Sequence, residues 1–231
     1  MDDNLVSLSK LQSDIQSMKF LSVFLKREQR DQLKKMEDQL KDMILQVTSF
    51  NDQLLPHGWC AYDSMSSSLI KSANAAFEQG GLAEAERVLI DYYKSDVCKI
   101  THWIKNSSEA FAVRYNLLEK FFEDHFAERY YASVPLGLII VDGAVNDFTK
   151  RQGFFAEGTT VDAWDCLVGC SDGLTKLKSI FTKNRTKTNT EAITLPYRNG
   201  ILHGRDLNYA NEYVACKCVA LMFAVADWMK M

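Results

Sequence analysis

Residues 208–230 of the chain are NYANEYVACKCVALMFAVADWMK, and this stretch decides the fold class. Wound into a helix, it carries apolar side chains such as Val214, Val219 and Phe223 on nearly every side. A helix that is apolar all round must lie in the centre of a core or be buried in an interface. Because no segment shows sustained strand alternation, we predict an all-α, multi-helix bundle that contains this last helix.

The other helices are predicted from apolar spacing, glycines and capping signals. Their predicted ranges are 5–50 (one helix or two), 64–79, 82–94, 96–128, 130–148, 160–169 and 172–183, with Ser171 as N-cap of the last. Gly80-Gly81 separates the second and third, which predicts an αα-hairpin. Pro135 fits best in the first turn of helix 130–148. Residues 188–191, Thr-Asn-Thr-Glu, have the form of a capping box and predict the start of a further helix.

An apolar stripe with heptad-like spacing follows the first predicted helix. Its members are Leu33, Met36, Leu40, Met43, Val47 and Phe50. Such a stripe is typical of a helix that packs on its own bundle, and also of a coiled coil with a partner protein. The intramolecular alternative is favoured because the register breaks near Ser22 and Gln29. The N-terminal helices remain a candidate surface for a partner protein.

Composition excludes several classes of protein. The formal net charge is −3, so a nucleic-acid surface must come from local clustering of basic residues. The six cysteines (Cys60, Cys98, Cys166, Cys170, Cys216 and Cys218) lack disulfide-scaffold density and zinc-site spacing, so we expect free buried thiols and, as the weaker alternative, a metal site. The sequence has no signal-peptide pattern and no apolar run of membrane-spanning length. We therefore expect a cytoplasmic protein with no membrane segment.

Basic residues cluster between positions 176 and 205. This segment contains seven lysines and arginines (Lys176, Lys178, Lys183, Arg185, Lys187, Arg198 and Arg205) and one acid, Glu191. A basic segment on an acidic chain is the electrostatic pattern expected of a polyanion-binding face. The alternative is that residues 183–190 form a solvated loop.

One of the four histidines, His203, has neighbours that suggest chemistry. It ends the sequence Arg198-Asn199-Gly200-Ile201-Leu202-His203 and precedes Gly204. On a helix, Asn199 and His203 would share a face, and the two glycines would let a phosphate backbone approach closely. The alternative is a plain turn in which His203 caps a helix or binds a buried carbonyl.

The sequence Arg198 to His203 resembles the R-x4-6-H motif of the HEPN ribonucleases, which commonly have a polar residue after the arginine. The surrounding residues 195–207 and the long apolar helix that follows are similar to uncharacterised bacterial members of that family. The segment from Pro135-Leu136 to Val141-Asp142-Gly143 also resembles theirs. The resemblance covers residues 110–231, which we predict to form a HEPN-like helical domain after an N-terminal helical region, 1–109.

The resemblance implies a homodimeric, metal-independent endoribonuclease that needs no cofactor and uses the 2'-hydroxyl of its RNA substrate as nucleophile. His203 would act as general base or acid, and Arg198 would bind the scissile phosphate and stabilise charge in the transition state. Asn199 would orient His203 or the phosphate. Contacts to RNA are expected from Arg205, Tyr197, Lys183, Arg185 and Lys187. Roles in toxin–antitoxin systems, with an antitoxin partner, or in antiviral defence accord with the family. A non-catalytic RNA- or nucleotide-binding module and a helical scaffold are the alternatives.

Overall fold

The computed structural model describes Ser17 and residues 26–95, 101–150, 153–156 and 173–230. Within these ranges it is a multi-helix bundle with one very small sheet, which confirms the predicted all-α class. The elements are α1 (Arg27–Leu54), a 3-10 turn (Leu55–His57), α2 (Ser67–Gly80), α3 (Leu82–Ser95), α4 (Thr101–Lys105), α5 (Glu109–Ala112), α6 (Tyr115–Phe126), α7 (Tyr130–Thr149), α8 (Gly173–Phe181), β1 (Asn189–Ala192), α9 (Arg198–Leu202), β2 (Asp206–Asn208) and α10 (Glu212–Trp228).

Helix α10 forms the centre of the bundle. Every residue from Val214 to Trp228 is buried, and the helix packs mainly against α7 and α3. Its start is fixed by Asn211, whose side chain accepts a hydrogen bond from the Val214 amide at 3.1 Å. The last helix therefore fills the core of its own chain, which decides between the two alternatives that the sequence left open.

The hairpin of α2 and α3 has the predicted form and packs beside α1. Leu33, Leu40, Val47 and Phe50 of the apolar stripe are buried, whereas Met36 is 41% exposed. Polar contacts join α1 to α2, among them the Lys71–Asp42 ion pair and a bond from the Asn74 amide to the Gln46 carbonyl. Along α1, the stripe therefore packs against other parts of the same chain. The predicted division at residue 109 stays a prediction, although buried residues on both sides of it belong to one hydrophobic cluster.

The helices in the middle of the chain are shorter and more numerous than the sequence suggests. A single helix is predicted over 96–128, but its described part, 101–128, is three helices, α4 to α6. The Ser108 side chain caps α5 by accepting from the Phe111 amide. The predicted helix 160–169, Ser171, Cys98, Cys166 and Cys170 lie outside the described residues. The thiols of Cys60, Cys216 and Cys218 are buried and are not part of disulfides. Among the described helices, none has the length and apolarity to cross a membrane.

The placement of Pro135 in a first helical turn is wrong. Helix α7 begins at Tyr130, so Pro135 lies inside it and has no N–H to give to the Tyr131 carbonyl. The Tyr209 hydroxyl donates to that carbonyl at 3.2 Å, and the two tyrosine rings meet edge to face. A side chain from the segment before α10 thus replaces the missing backbone bond.

The predicted helix start at residues 188–191 is also wrong. Residues 189–192 form strand β1, which pairs in parallel with β2. The Asn189 amide donates to the Arg205 carbonyl at 2.7 Å, and the Ile193 amide donates to the Asn208 carbonyl at 3.3 Å. These bonds to residues 205–208, together with the Asn189 side chain, which accepts from the Glu191 amide at 3.1 Å, give this backbone partners outside a helix, so the local signal is overridden.

A buried ion pair joins α10 to α3, and its lysine also binds the segment before α9. The Lys217 ammonium lies 2.7 Å from the Glu86 carboxylate and donates to the Thr194 carbonyl at 2.8 Å. The Trp59 indole N–H donates to the same carboxylate at 3.1 Å. Lys217 is 1% exposed, and burial lowers its pKa while Glu86 opposes the shift. The pair therefore connects α3, α10 and the chain that leads to the candidate site.

Replacing Lys217 with methionine is expected to destabilise the fold by about 3 to 5 kcal/mol, because the Glu86 carboxylate would stay buried without a counter-ion. The free energy of unfolding from urea titration measures this. The double variant Lys217→Met/Glu86→Gln should recover part of the loss, since no charge is then buried. A loss below about 1 kcal/mol for Lys217→Met would contradict the structural role of the pair.

Candidate functional site

The candidate motif is one helical turn whose histidine lies just beyond its end. Helix α9 begins at Arg198 and ends at Leu202, and the His203 amide still donates to the Asn199 carbonyl at 3.2 Å. Gly204 has a φ of +66°, and the chain then enters β2. Arg198 and His203 are thus placed at the two ends of the same turn.

The sequence suggested that both glycines let a phosphate approach the histidine, and for Gly200 this is wrong. A Cβ at position 200 would overlap the carboxylate of Asp206, lying 2.7 Å from its Cγ, so Gly200 faces inward. Around Gly204 the space is open, and its left-handed backbone is the feature that favours glycine there. Gly200 serves close packing and Gly204 serves the turn.

Asp206 holds the turn in place from the buried side, where Gly200 packs on its carboxylate. Its side chain is fully buried and receives bonds from Arg185 Nε, at 3.2 Å from Oδ1, and from Asn189 Nδ2 at 2.9 Å. The Arg185 guanidinium also lies over the Tyr197 ring, 4.7 Å from its centroid. Arg185 and Tyr197, both candidates for RNA contact, are therefore engaged with each other, and Arg185 is also bound to Asp206.

The Arg198 guanidinium is half-buried and held from two sides. Its Nη2 lies 3.4 Å from Oδ2 of Asp142 on α7, and its Nη1 donates to Asn199 Oδ1 at 3.0 Å. The Phe155 ring lies against it, with 6.0 Å between the ring centroid and Cζ. Arg198 Nε is buried and has no hydrogen-bond partner in the described parts of the chain.

Asn199 is bound to the end of α8 rather than directed at His203. Its Nδ2 donates to the Thr182 carbonyl at 3.0 Å and to Asn184 Oδ1 at 2.7 Å. Its Oδ1 accepts from Arg198, so the amide group links the arginine to the basic loop that follows α8. The structure thus places Asn199 where it orients Arg198.

The His203 side chain is exposed, and within the described ranges its imidazole makes no hydrogen bond or ion pair. Both ring nitrogens are therefore accessible to a ligand. Lys183 and Lys187 are also exposed, on the loop that Asn184 ties to Asn199. Arg205 is exposed as well, but its guanidinium donates to the Arg185 carbonyl.

Two charged residues at the site were not among the candidate site residues, although one of them, Lys178, belongs to the basic segment. Asp142 binds Arg198, and the signal for it was an acid in an otherwise apolar helix, which needs a partner or solvent. Lys178, on α8, is partly buried: burial lowers its pKa, and the Asp142 carboxylate opposes the shift. The site therefore has one carboxylate that interacts with two cations. Among the described residues, no group of three or more His, Cys, Asp or Glu side chains could hold a metal ion.

Gly200→Ala is expected to destabilise the protein by about 1 to 3 kcal/mol, because the new methyl group would overlap the buried Asp206 carboxylate. Gly204→Asn is the matched control, since asparagine tolerates a positive φ and the space there is open. Thermal unfolding followed by circular dichroism compares them. Equal melting temperatures for the two variants would show that Gly200 is not packed against Asp206.

Comparison of the chain with protein-family models, with curated proteins and with solved structures found no match in any of the three. The function of the protein is therefore inferred from the residues of this site and from their chemistry. These are an exposed imidazole, a half-buried guanidinium at the other end of the same turn, and exposed lysines on the adjoining loop.

Proposed function

We propose that this protein is a cytoplasmic, metal-independent endoribonuclease of HEPN type. The observation that supports the proposal is the exposed His203 imidazole at one end of α9, with Arg198 at the other end and Lys183 and Lys187 on the loop tied to Asn199. This combination supplies a group that exchanges protons near neutral pH and cations that bind phosphate. The resemblance of residues 198–203 to the HEPN motif adds the reaction type.

In the proposed reaction, His203 accepts the proton of a 2'-hydroxyl group, and the 2'-oxygen attacks the adjacent phosphorus. The bond from phosphorus to the 5'-oxygen breaks, which leaves a 2',3'-cyclic phosphate and a 5'-hydroxyl that takes up a proton. Arg198 neutralises the charge that develops on the phosphate oxygens. The resemblance implies a homodimer in which two motifs meet, so that one histidine accepts a proton while the other donates one.

A binding module that does not cut RNA is the second candidate. The observation in its favour is the engagement of Arg198 with Asp142 and Asn199, together with the use of Arg185, Arg205 and Tyr197 in internal contacts. A protein of this kind would bind RNA or a nucleotide through the same face. Melting temperature would then rise with ligand, while RNA would remain intact.

Cleavage of total cellular RNA by the purified protein in EDTA tests the proposal. We expect cutting by the wild type, with 2',3'-cyclic phosphate ends, and a loss of about 10²- to 10⁴-fold in His203→Ala because proton transfer is removed. Arg198→Ala should lower the cleavage rate by a comparable factor, because the charge that develops on the phosphate is no longer stabilised. His102→Ala, which removes another exposed histidine, on α4, is the matched control and should cut normally.

Substrate chemistry gives the decisive comparison. RNA with 2'-O-methyl groups and DNA should both resist cleavage, because neither offers a free 2'-hydroxyl. Cleavage of DNA, or strict dependence on a divalent metal, would contradict the proposal. If neither the wild type nor any variant cuts RNA, the binding module is favoured. The melting temperature of the same samples with and without ligand then tests it. In cells, relief of growth inhibition by His203→Ala would accord with a toxin or antiviral role.

Lys183→Ala/Lys187→Ala is expected to weaken the binding of single-stranded RNA without changing the fold, because both side chains are exposed. The slope of log affinity against log salt concentration should fall by about 1.4, which corresponds to two lost phosphate contacts. Fluorescence anisotropy with a labelled, 2'-O-methylated RNA measures it. Lys34→Ala/Lys35→Ala on α1 removes the same charge elsewhere, and an equal effect from it would show that overall charge, not this loop, governs binding.

A further inference from the structure

We infer that Asp142 is a positioning residue, which holds the Arg198 guanidinium in the orientation that phosphate binding requires. The structural part of this inference depends on contacts within the chain. Its catalytic consequence rests on the proposed ribonuclease function. Asp142 lies on α7, 56 residues before Arg198 in the sequence. It belongs to the segment 135–143 that resembles the family's, but neither the R-x4-6-H motif nor the basic segment includes it.

The two oxygens of Asp142 have different partners. Oδ1 accepts a hydrogen bond from the Phe155 amide at 3.0 Å, and Oδ2 faces Nη2 of Arg198 at 3.4 Å. Gly153 packs directly on Oδ1, where a Cβ would overlap it. Because the turn 153–156 holds one oxygen, the carboxylate cannot rotate freely, and its second oxygen is presented to the arginine.

The other contacts of Arg198 complete the arrangement. Nη1 donates to Asn199 Oδ1, and Asn199 is itself bound to the Thr182 carbonyl at the end of α8. The Phe155 ring covers one side of the guanidinium. An arginine has five N–H groups, and the contacts to Asp142 and Asn199 take one from each terminal nitrogen. Each terminal nitrogen therefore keeps a second N–H, and such a pair suits the bidentate recognition of a phosphate.

A positioning residue is needed here because α9 is only five residues long. A single turn does not restrict a long arginine side chain, which carries about 2 kcal/mol of rotamer entropy. If this rotamer freedom were lost only in the transition state, the loss would slow the reaction. A carboxylate fixed by the turn 153–156 restricts the arginine before the substrate binds, in the way that substrate-positioning contacts generally act.

The charge of Asp142 has an effect opposite to that of positioning, and this difference makes the inference testable. Its negative charge reduces the attraction of Arg198 for a phosphate in the ground state. A residue that only lowered charge would therefore give tighter RNA binding and faster cleavage when neutralised. A positioning residue gives a lower kcat when neutralised, with a KM that is unchanged or smaller. The two effects are separated by measuring kcat and KM independently.

The experiment compares Asp142→Asn with Asp147→Asn. Asp142→Asn keeps the oxygen that accepts from Phe155 but loses the charge that faces Arg198. Asp147 is the matched control: it lies on the same helix and pairs with Arg114 at 2.7 Å, away from the motif. We expect Asp142→Asn to lower kcat on the order of tenfold, with KM no larger than in the wild type, and Asp147→Asn to leave both parameters unchanged.

A second measurement does not depend on activity. The Nε–H of Arg198 is buried, so its NMR signal should exchange slowly with water in the wild type and in Asp147→Asn. In Asp142→Asn the side chain is released, and exchange should be about tenfold faster while the melting curve still shows a folded protein. If the wild type cuts no RNA, the proposed function fails and this exchange rate alone decides the inference. Equal kcat values for both variants, a loss confined to KM, or equal exchange rates would overturn it.

Discussion

The buried ion pair between Lys217 and Glu86 is the interaction on which the arrangement of the site depends. It places a charge in the N-terminal half of α10, a helix that is otherwise almost entirely apolar. Removing two charges from water is costly, and only close geometry with further hydrogen bonds compensates for it. The Trp59 indole and the Thr194 carbonyl provide those bonds. One point in the core therefore determines where the chain before α9 lies.

From this point, polar contacts lead outward to the candidate motif. Thr194 follows β1, and β1 pairs with β2, which begins at the buried Asp206. Asp206 in turn packs on Gly200 in the middle of α9. Within α9 only Gly200 and Ile201 are buried, so apolar burial contributes little to its position. The motif is held mainly by hydrogen bonds, ion pairs and close packing on a glycine, and these leave its polar side chains on the surface.

These contacts divide the basic residues into two groups. Arg185 and Arg205 are used in contacts within the chain: Arg185 binds the Asp206 carboxylate, and Arg205 donates to the Arg185 carbonyl. Lys183, Lys187 and the His203 imidazole remain exposed. Arg198 belongs to both groups, because its contacts with Asp142 and Asn199 fix the side chain while leaving two N–H groups for a ligand. Local clustering of basic residues thus overstates the number that are available to a polyanion.

The sequence alone predicted the helical class, the α2–α3 hairpin, α7 and α10, because apolar periodicity and glycine positions depend on neighbouring residues in the chain. It also identified the turn from Arg198 to His203. Tertiary structure decided the features that need distant partners. Strand β1 forms because residues 205–208 offer their backbone, and Pro135 is tolerated inside α7 because Tyr209 binds the released carbonyl. Likewise, the turn after α9 brings Asp206 against Gly200, and Arg198 is held by Asp142 only because the folded chain brings α7 beside α9.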